Sequence, residues 1–328
     1  MIAYFILVHR YPLQFKRLFK SIYDPENQYL IHIDKKAGPD LLKDIKKFLK
    51  DFPNTSILKS QSVVWGGYSM VETELRGIKR LLEISKVWTH FINLSGQDFP
   101  LKTQKEIKDL LRVGKGKDYM LVSDQTKDRP NTLNRIKNYF VESDSGFTGT
   151  PVKRPFMANV IPYIGGQWKI LSRNACEFIC SDSKVTKIKN FYKNTLIPDE
   201  SFFQTALMNS DYPNSIINDD KRAIIWIPDV DVRLNPKTLT AIDTESLIAS
   251  GKIKLRPKTF TLQDRIYLSE TTAFFARKFD ETVDSAILDF LEANLKMLNQ
   301  PKKLKVNLGL DKILPLPIIT TITPARII

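Results

Sequence analysis

Apolar and polar residues alternate in two rhythms along the first third of the chain. "IAYFILVH" (2–9) is a continuous apolar run, as expected of a strand covered on both faces. "PLQFKRLFKSIY" (12–23) carries apolar residues at helical spacing behind a proline suited to a helix start. "YLIHID" (29–34) reads as a second buried strand, and "PDLLKDIKKFLKDF" (39–52) as a helix with Asp40 in its first turn. "TSILKS" (55–60) is a short strand. "SMVETELRGIKRLLEISK" (69–86) is a long amphipathic helix, with Ser69 placed to cap it and Glu72 at capping-box spacing. "HFINLSGQDFPL" (90–101) reads as the next strand.

This alternation predicts an α/β fold with a mostly parallel central sheet and helices on both faces. Ligands in such sheets bind beyond the carboxyl ends of the strands. His9, Asp34, the "WGGYS" loop and Asp98 all fall at or just after such ends. Residues 115–165 read as loop-rich and charged. "GGQWKILSRNACEFI" (165–179) resumes as strand, turn and helix, and "PDESFFQTALM" (198–208) opens another helix. Between Trp226 and Pro257 the pattern weakens. "TAFFARKFD" (272–280) is an apolar strand meeting a basic pair, and "DSAILDFLEANLKML" (284–298) is a closing helix. Residues 1–295 are read as one domain. The rest, 296–328, is a basic stretch, "PKKLK", followed by an apolar one that three prolines bar from forming a regular spanning helix. It is free to pack on the domain, hang loose or lie on a membrane or partner surface.

The composition adds limits. A chain of 328 residues, 42% hydrophobic, can bury a large core. Its only cysteines, Cys176 and Cys180, lie one helical turn apart and read as two core-facing residues, which suits a reducing compartment. The start is apolar before its first basic residues, the reverse of a secretory signal, so a cytoplasmic chain is expected. The net charge of +14 favours anionic partners, but there is no zinc-finger spacing and no basic-aromatic RNA-binding signature, so nucleic acid is not one of them.

Candidate chemistry is sparse. In "IPDESFF", Asp199 is explained as a helix N-cap, whereas Glu200 is not required by capping and is a candidate catalytic carboxylate. Arg277 and Lys278 follow a strand, where neighbours point to opposite faces, so at most one should share a ligand pocket. The glycine pairs of "VVWGGYS" and "YIGGQW" permit close backbone approach but match no nucleotide-binding glycine motif. No catalytic triad or His/Cys metal spacing is present.

Taken in order, "AYFILVHR", "SIYDPENQYLIHIDKKA", "SVVWGGYSMVETELRGIKRLLE", "FINLSGQDFPLKTQKEI", "GGQWKILSR", "IPDESFFQT" and "FFARKFD" resemble the core-2/I-branching β-1,6-N-acetylglucosaminyltransferase family, which also holds the peptide O-xylosyltransferases. The resemblance runs from about residue 2 to about residue 290. It implies a GT-A-type fold and transfer from a UDP-sugar with inversion at the anomeric carbon. Animal members are Golgi proteins with a membrane anchor and several disulfides, so this chain resembles a soluble, bacterial type of relative. By resemblance, Glu200 is the catalytic base. Val8, His9, Asp34, Trp65, Gly66, Ser69, Asp98, Arg256 and Lys278 are donor-side residues, with Lys278 and Arg256 on the pyrophosphate. Arg135, Lys137, Gly166 and Trp226 are acceptor-side.

Ser95-Gly96-Gln97-Asp98 offers one acid where a metal-binding Asp-x-Asp needs two. The branching enzymes that the chain resembles work without metal, and the resemblance implies that no metal or other cofactor is needed here: Asp98 would orient the donor sugar or a loop backbone, and protein cations would brace the departing UDP. The default donor sugar is GlcNAc. The expected acceptor is a glycan or lipid-linked oligosaccharide, reached with peripheral contact at an acidic membrane face. Two rival readings are a metal-dependent transferase with a xylosyl or glucuronosyl donor and Asp98 as ligand, and a UDP-sugar-binding module without catalysis.

Overall fold

The computed structural model describes residues 1–144, 146–210, 216–229 and 254–299. The chain alternates strand and helix as β1 (Ile2–Val8), α1 (Pro12–Ile22), β2 (Gln28–Ile33), α2 (Gly38–Leu49), β3 (Thr55–Leu58), α3 (Tyr68–Ile84) and β4 (His90–Ser95). It continues through β5 (Asp98–Pro100), α4 (Gln104–Val113), β6 (Asp118–Asp124), α5 (Asn134–Lys137), the hairpin β7 (Asn138–Ser143) and β8 (Gly146–Lys153), and β9 (Tyr163–Ser172). Then come α6 (Arg173–Ser181), α7 (Ser183–Tyr192), α8 (Phe202–Met208), β10 (Ile216–Ile217), β11 (Arg222–Ile224), β12 (Trp226–Asp229), β13 (Lys254–Pro257), α9 (Arg265–Glu270), β14 (Phe275–Arg277) and α10 (Ala286–Asn299).

Among the described residues, seven strands form the main sheet in the order β10-β6-β9-β4-β1-β2-β3. β1 pairs parallel with both β2 and β4, β2 with β3, and β10 with β6, while β9 runs antiparallel to its neighbours β4 and β6. This is the mostly parallel α/β sheet that the alternation predicts. β1 shows why the sheet is sandwiched. Tyr4, Ile6 and Val8 pack into one core with α1 residues Phe15, Leu18 and Phe19 and α10 residues Ile287 and Leu291. Ala3 and Phe5 pack into the other with Val71, Ile78 and Leu81 of α3 and with α6, α7 and α8. Period-2 alternation in a strand covered on both sides leaves no polar face to read.

Several expectations are corrected. The run 90–101 is not one strand: the chain turns after Ser95, and β5 joins a second sheet of order β11-β14-β5, pairing antiparallel with β14. The turn is pinned because Gly96 N donates to Leu7 O (2.9 Å) and Gly96 O accepts from Gln14 Nε2 (2.9 Å). Ser69 does not cap α3: Gly67 holds that position, and Ser69 Oγ instead accepts from Val64 N at 2.8 Å. The stretch read as loop-rich holds β6, α5, the β7–β8 hairpin and the start of β9. Cys176 is buried, but Cys180 is exposed, because α6 turns Ala175, Cys176 and Ile179 inward; both thiols are free. α10 continues past residue 295 to Asn299, and the rest of the proposed tail lies outside the described residues. No helix among the described residues is long and apolar enough to cross a membrane.

β9 meets β6 across an irregularity between Met120 and Val122. There a Cβ on Gly165 would lie 1.8 Å from Leu121 O, so only glycine fits. Gly165→Ala should therefore lower stability by about 1–3 kcal/mol. At the adjacent Gly166, an added Cβ would meet Asp220 Oδ2 at an ordinary 3.6 Å, so Gly166→Ala should melt like the parent. Thermal denaturation of both variants checks the pair, and equal melting temperatures would contradict the packing argument.

Candidate functional site

The parallel strands deliver Val8, Ile33 and Ser95 to one edge, and the residues that follow them build the first half of the site. Val8 is buried, and its carbonyl accepts from Asp34 N at 2.9 Å. Asp34 caps the short turn Lys35–Ala37, its Oδ1 accepting from Lys36 N at 2.9 Å. His9 is held below its usual pKa, by partial burial first and then by Arg10 and Arg277, with Asp34 acting against them.

Asp98 is fully buried. Its Oδ2 accepts from Ser95 N, which closes the turn, and its Oδ1 stands 3.7 Å from Arg277 Nη1. Asp98 thus bonds the loop backbone and stands beside a cation as well. Arg277 also donates to Ser95 Oγ, and its guanidinium lies 4.7 Å from the Trp168 ring centroid. The same ring carries Arg222 at 5.0 Å, a second buried guanidinium, whose Nη2 donates to Asn93 O at 3.0 Å.

β14 ends at Arg277, which is taken up by Asp98, and Lys278 lies just past the strand. Lys278 is held below its ordinary pKa, by burial first and then by Arg10, Arg277 and Arg256. Its Nζ has no anionic partner among the described residues. Arg10 is steadied by Gln97, with Nη2 donating to Oε1 at 3.0 Å. Arg256 is half-exposed and paired with Asp229 at 3.2 Å. The β12–β13 ladder sets Trp226 opposite Pro257, beside Arg256, rather than on the turn that carries Glu200.

That turn forms the second half. Pro198–Glu200 is a single 3-10 turn ahead of α8, so Asp199 is not an N-cap: Ile197 holds the cap position and Asp199 is buried within the turn. Ile197 is left-handed (φ 53°, ψ 52°), an outlier for a β-branched residue. Its N–H donates to Gly66 O at 2.7 Å, and Gly66 itself has a positive φ of 73°. The "WGG" loop at the start of α3 thus braces the turn. Trp65 beside it is 76% exposed, and Ser69 N donates to Glu142 Oε2 at 3.0 Å.

Glu200 Oε2 accepts from Arg135 Nη1 at 2.8 Å. The residue expected to bind the acceptor therefore holds the carboxylate. Glu200 Oε1 has no partner among the described residues. Lys137 is exposed and makes no contact with that pair among the described residues. Gly166 O accepts from Gln204 Nε2 of α8 at 2.9 Å.

Sequence reasoning missed Arg10, Gln97, Trp168, Arg222 and a buried ion pair, Lys169 Nζ to Glu74 Oε1 at 3.0 Å. Two signals were present: a lone lysine inside the apolar run "WKIL", and a glutamate on the apolar stripe Val71, Ile78, Leu81 of α3. Among the described residues no group of three or more His, Cys, Asp or Glu side chains is placed to hold a metal ion.

The molecule is an α/β protein that brings a carboxylate and a cation cluster to the carboxyl edge of its sheet. The chain belongs to the Core-2/I-Branching enzyme family, whose model matches residues 2–249. It is 30% identical over 304 residues to a xylosyltransferase of Ciona intestinalis, covering 90% of this chain and 34% of that one. It is also 30% identical over 301 residues to xylosyltransferase 2 of Rattus norvegicus, covering 90% and 33%. The chain thus spans about a third of the length of the curated relatives it matches. Among solved structures it is similar to mouse xyloside xylosyltransferase 1 in its apo form (TM-score 0.32, 12% identity, 66% of this chain and 84% of that one). It is likewise similar to S. aureus TarS 1-349 in complex with UDP-GlcNAc (TM-score 0.33, 14% identity, 67% and 56%). Likeness at that level carries no argument about the site.

Because Asp98 is buried beside Arg277, Arg277→Met should cost about 3–5 kcal/mol by stranding the carboxylate. Adding Asp98→Asn should recover part of that loss. A double-mutant cycle in urea measures the coupling, and additive losses would show that the pair is not the anchor.

Proposed function

We propose that the protein is an inverting glycosyltransferase that moves a sugar from a UDP-sugar to a glycan hydroxyl. The observation that carries this reading is the division of charge at the sheet edge. A carboxylate is fixed on a strained turn on one side, and Lys278, with Arg277, Arg10 and Arg256 in its field, stands on the other. In the proposed step the acceptor oxygen attacks the anomeric carbon and its proton passes to Glu200. The bond from that carbon to the diphosphate oxygen breaks, and UDP leaves with the electron pair. Arg135 orients Glu200 through Oε2 and leaves Oε1 for the acceptor hydroxyl. The cations stabilise the charge that grows on the leaving diphosphate.

We propose that the reaction needs no divalent metal. The support is that Asp98, the acid in the place of a metal ligand, is already engaged by Ser95 N and Arg277. For the donor we propose UDP-N-acetylglucosamine, after the branching enzymes that give the family its name. UDP-xylose is the second reading, favoured by the names of the similar proteins. The proposed acceptor is a glycan or lipid-linked oligosaccharide, and the surplus of basic residues supports peripheral contact with an acidic membrane from the cytoplasmic side.

Glu200→Gln should lower turnover by about 10²–10⁴-fold while UDP binding by calorimetry stays near the parent value. Lys278→Met should weaken UDP binding itself. Donor hydrolysis assayed with both UDP-sugars should persist in EDTA. Near-parent turnover of the Glu200 variant would remove it from the base role, and restoration only by Mn²⁺ would establish the metal-dependent alternative.

A further inference from the structure

Beneath the turn that carries Glu200 lies a group of buried charges that the transfer step does not use. Glu74 of α3 and Lys169 of β9 are both buried. Lys169 Nζ donates to Glu74 Oε1 at 3.0 Å, to Oε2 at 3.1 Å and to Gln167 O at 2.6 Å. The ammonium also lies 4.0 Å from the ring centroid of Phe203 on α8. Asp199 is buried in the turn above, and its Oδ1 has no hydrogen-bond partner.

The charged groups that act on Asp199 come from each element packed against it. They are Glu200 on its own turn, Lys169 on β9 and Glu74 on α3, while α8 carries no titratable residue. Arg135 is already paired with Glu200. The local count is therefore two buried carboxyl groups to one ammonium, and the ammonium is committed to Glu74. A buried carboxylate without a counter-charge takes a proton instead. Burial first, and then the charge of Glu200, push Asp199 up to about 7.

We propose that Asp199 is a positioning residue for Glu200, holding the turn against the Glu74–Lys169 pair as a neutral acid and releasing it when ionised. The proposal rests on the reading of Glu200 as the base. Ionised Asp199 would set a second buried negative charge beside Glu200 with no free cation among the described residues to balance it, and the turn would move to admit water. Turnover should then fall as pH rises past neutrality.

The sign for stability follows from linkage. A free aspartate titrates near about 3.9, so between about pH 4 and pH 7 the folded chain keeps a proton that the unfolded chain has lost. Stability from this group is full below that window, falls through it as pH rises, and stays low above it.

The test compares the full chain with Asp199→Asn, which copies the neutral acid, and with the double variant Glu74→Gln/Lys169→Met. Melting temperature is measured from pH 4 to 9, and kcat and KM with a UDP-sugar over the folded range. Asp199→Asn should gain on the parent in melting temperature as pH rises through the window, and should lose the alkaline fall in kcat. In the parent that fall should be about tenfold per pH unit past its midpoint. KM for the donor should not change. Removing the ion pair takes away the cation that favours ionised Asp199, so the double variant's alkaline limb should move to higher pH. An alkaline limb unchanged in Asp199→Asn, or a melting difference flat across pH, would overturn the proposal. If no variant transfers sugar at any pH, the reading of Glu200 fails, and the pH dependence of the melting difference still decides whether Asp199 holds its proton.

Discussion

Asp98 is the constraint on which the site depends. A carboxylate with no access to water must be met by charge and hydrogen bonds, and here both come from segments distant in sequence. Ser95 N closes the turn onto it, and Arg277, its partner in the β5–β14 ladder, faces it with a guanidinium. One side chain therefore fixes the end of β4, the start of β5 and the end of β14 together. Because Arg277 is committed to this anchor, the next residue, Lys278, has no ion-pair partner among the described residues and stands in a field of like charges that Asp280 opposes only from a distance. A bound anion relieves that repulsion. At an effective dielectric of about 20, a single pair 4 Å apart interacts by about 4 kcal/mol, against about 1 kcal/mol in bulk water.

The opposite side of the site is organised by backbone rather than by charge. Ile197 in a left-handed conformation costs on the order of 1–3 kcal/mol and persists because Gly66 O accepts its N–H while Arg135 O accepts that of Leu196 (2.9 Å). Arg135 thus contributes twice, its carbonyl to the approach of the turn and its guanidinium to Glu200. Strain held in this way fits the base role proposed for Glu200.

Much of the fold was legible because β1, β2 and β4 are apolar along their whole length and the helices between them have one apolar stripe each. What could not be read is non-local. Nothing within "HFINLSGQDFPL" says that its two ends belong to different sheets, because the turn is made by Leu7, Gln14 and Arg277. The hairpin Asn138–Ser143/Gly146–Lys153 has little apolar periodicity, so it reads as loop. At the site, the edge position of His9, Asp34 and Asp98 followed from strand ends alone. The partners did not: pairing Arg135 with Glu200, or Lys169 with Glu74 across 95 residues, requires the tertiary arrangement. Lys169 and Glu74 each broke a local rule, and such breaks mark the residues that need a distant partner.

The reversed strand joins the two halves. On β9, Trp168 and Lys169 are adjacent, and strand geometry sends their side chains to opposite faces. Trp168 lies under the guanidinium of Arg277, and Lys169 is bonded to Glu74 beneath the turn of Asp199 and Glu200. Gln167 O ties the pair down by accepting from Asn93 Nδ2 of β4 (3.0 Å) and from Lys169 Nζ. A displacement of β9 along its length would therefore shift the cation cluster and the carboxylate turn together. In the proposed single displacement, the distance between base and leaving group is what must be held constant. A shared strand, gripped on both faces by buried charge, meets that requirement more directly than two independently placed loops would.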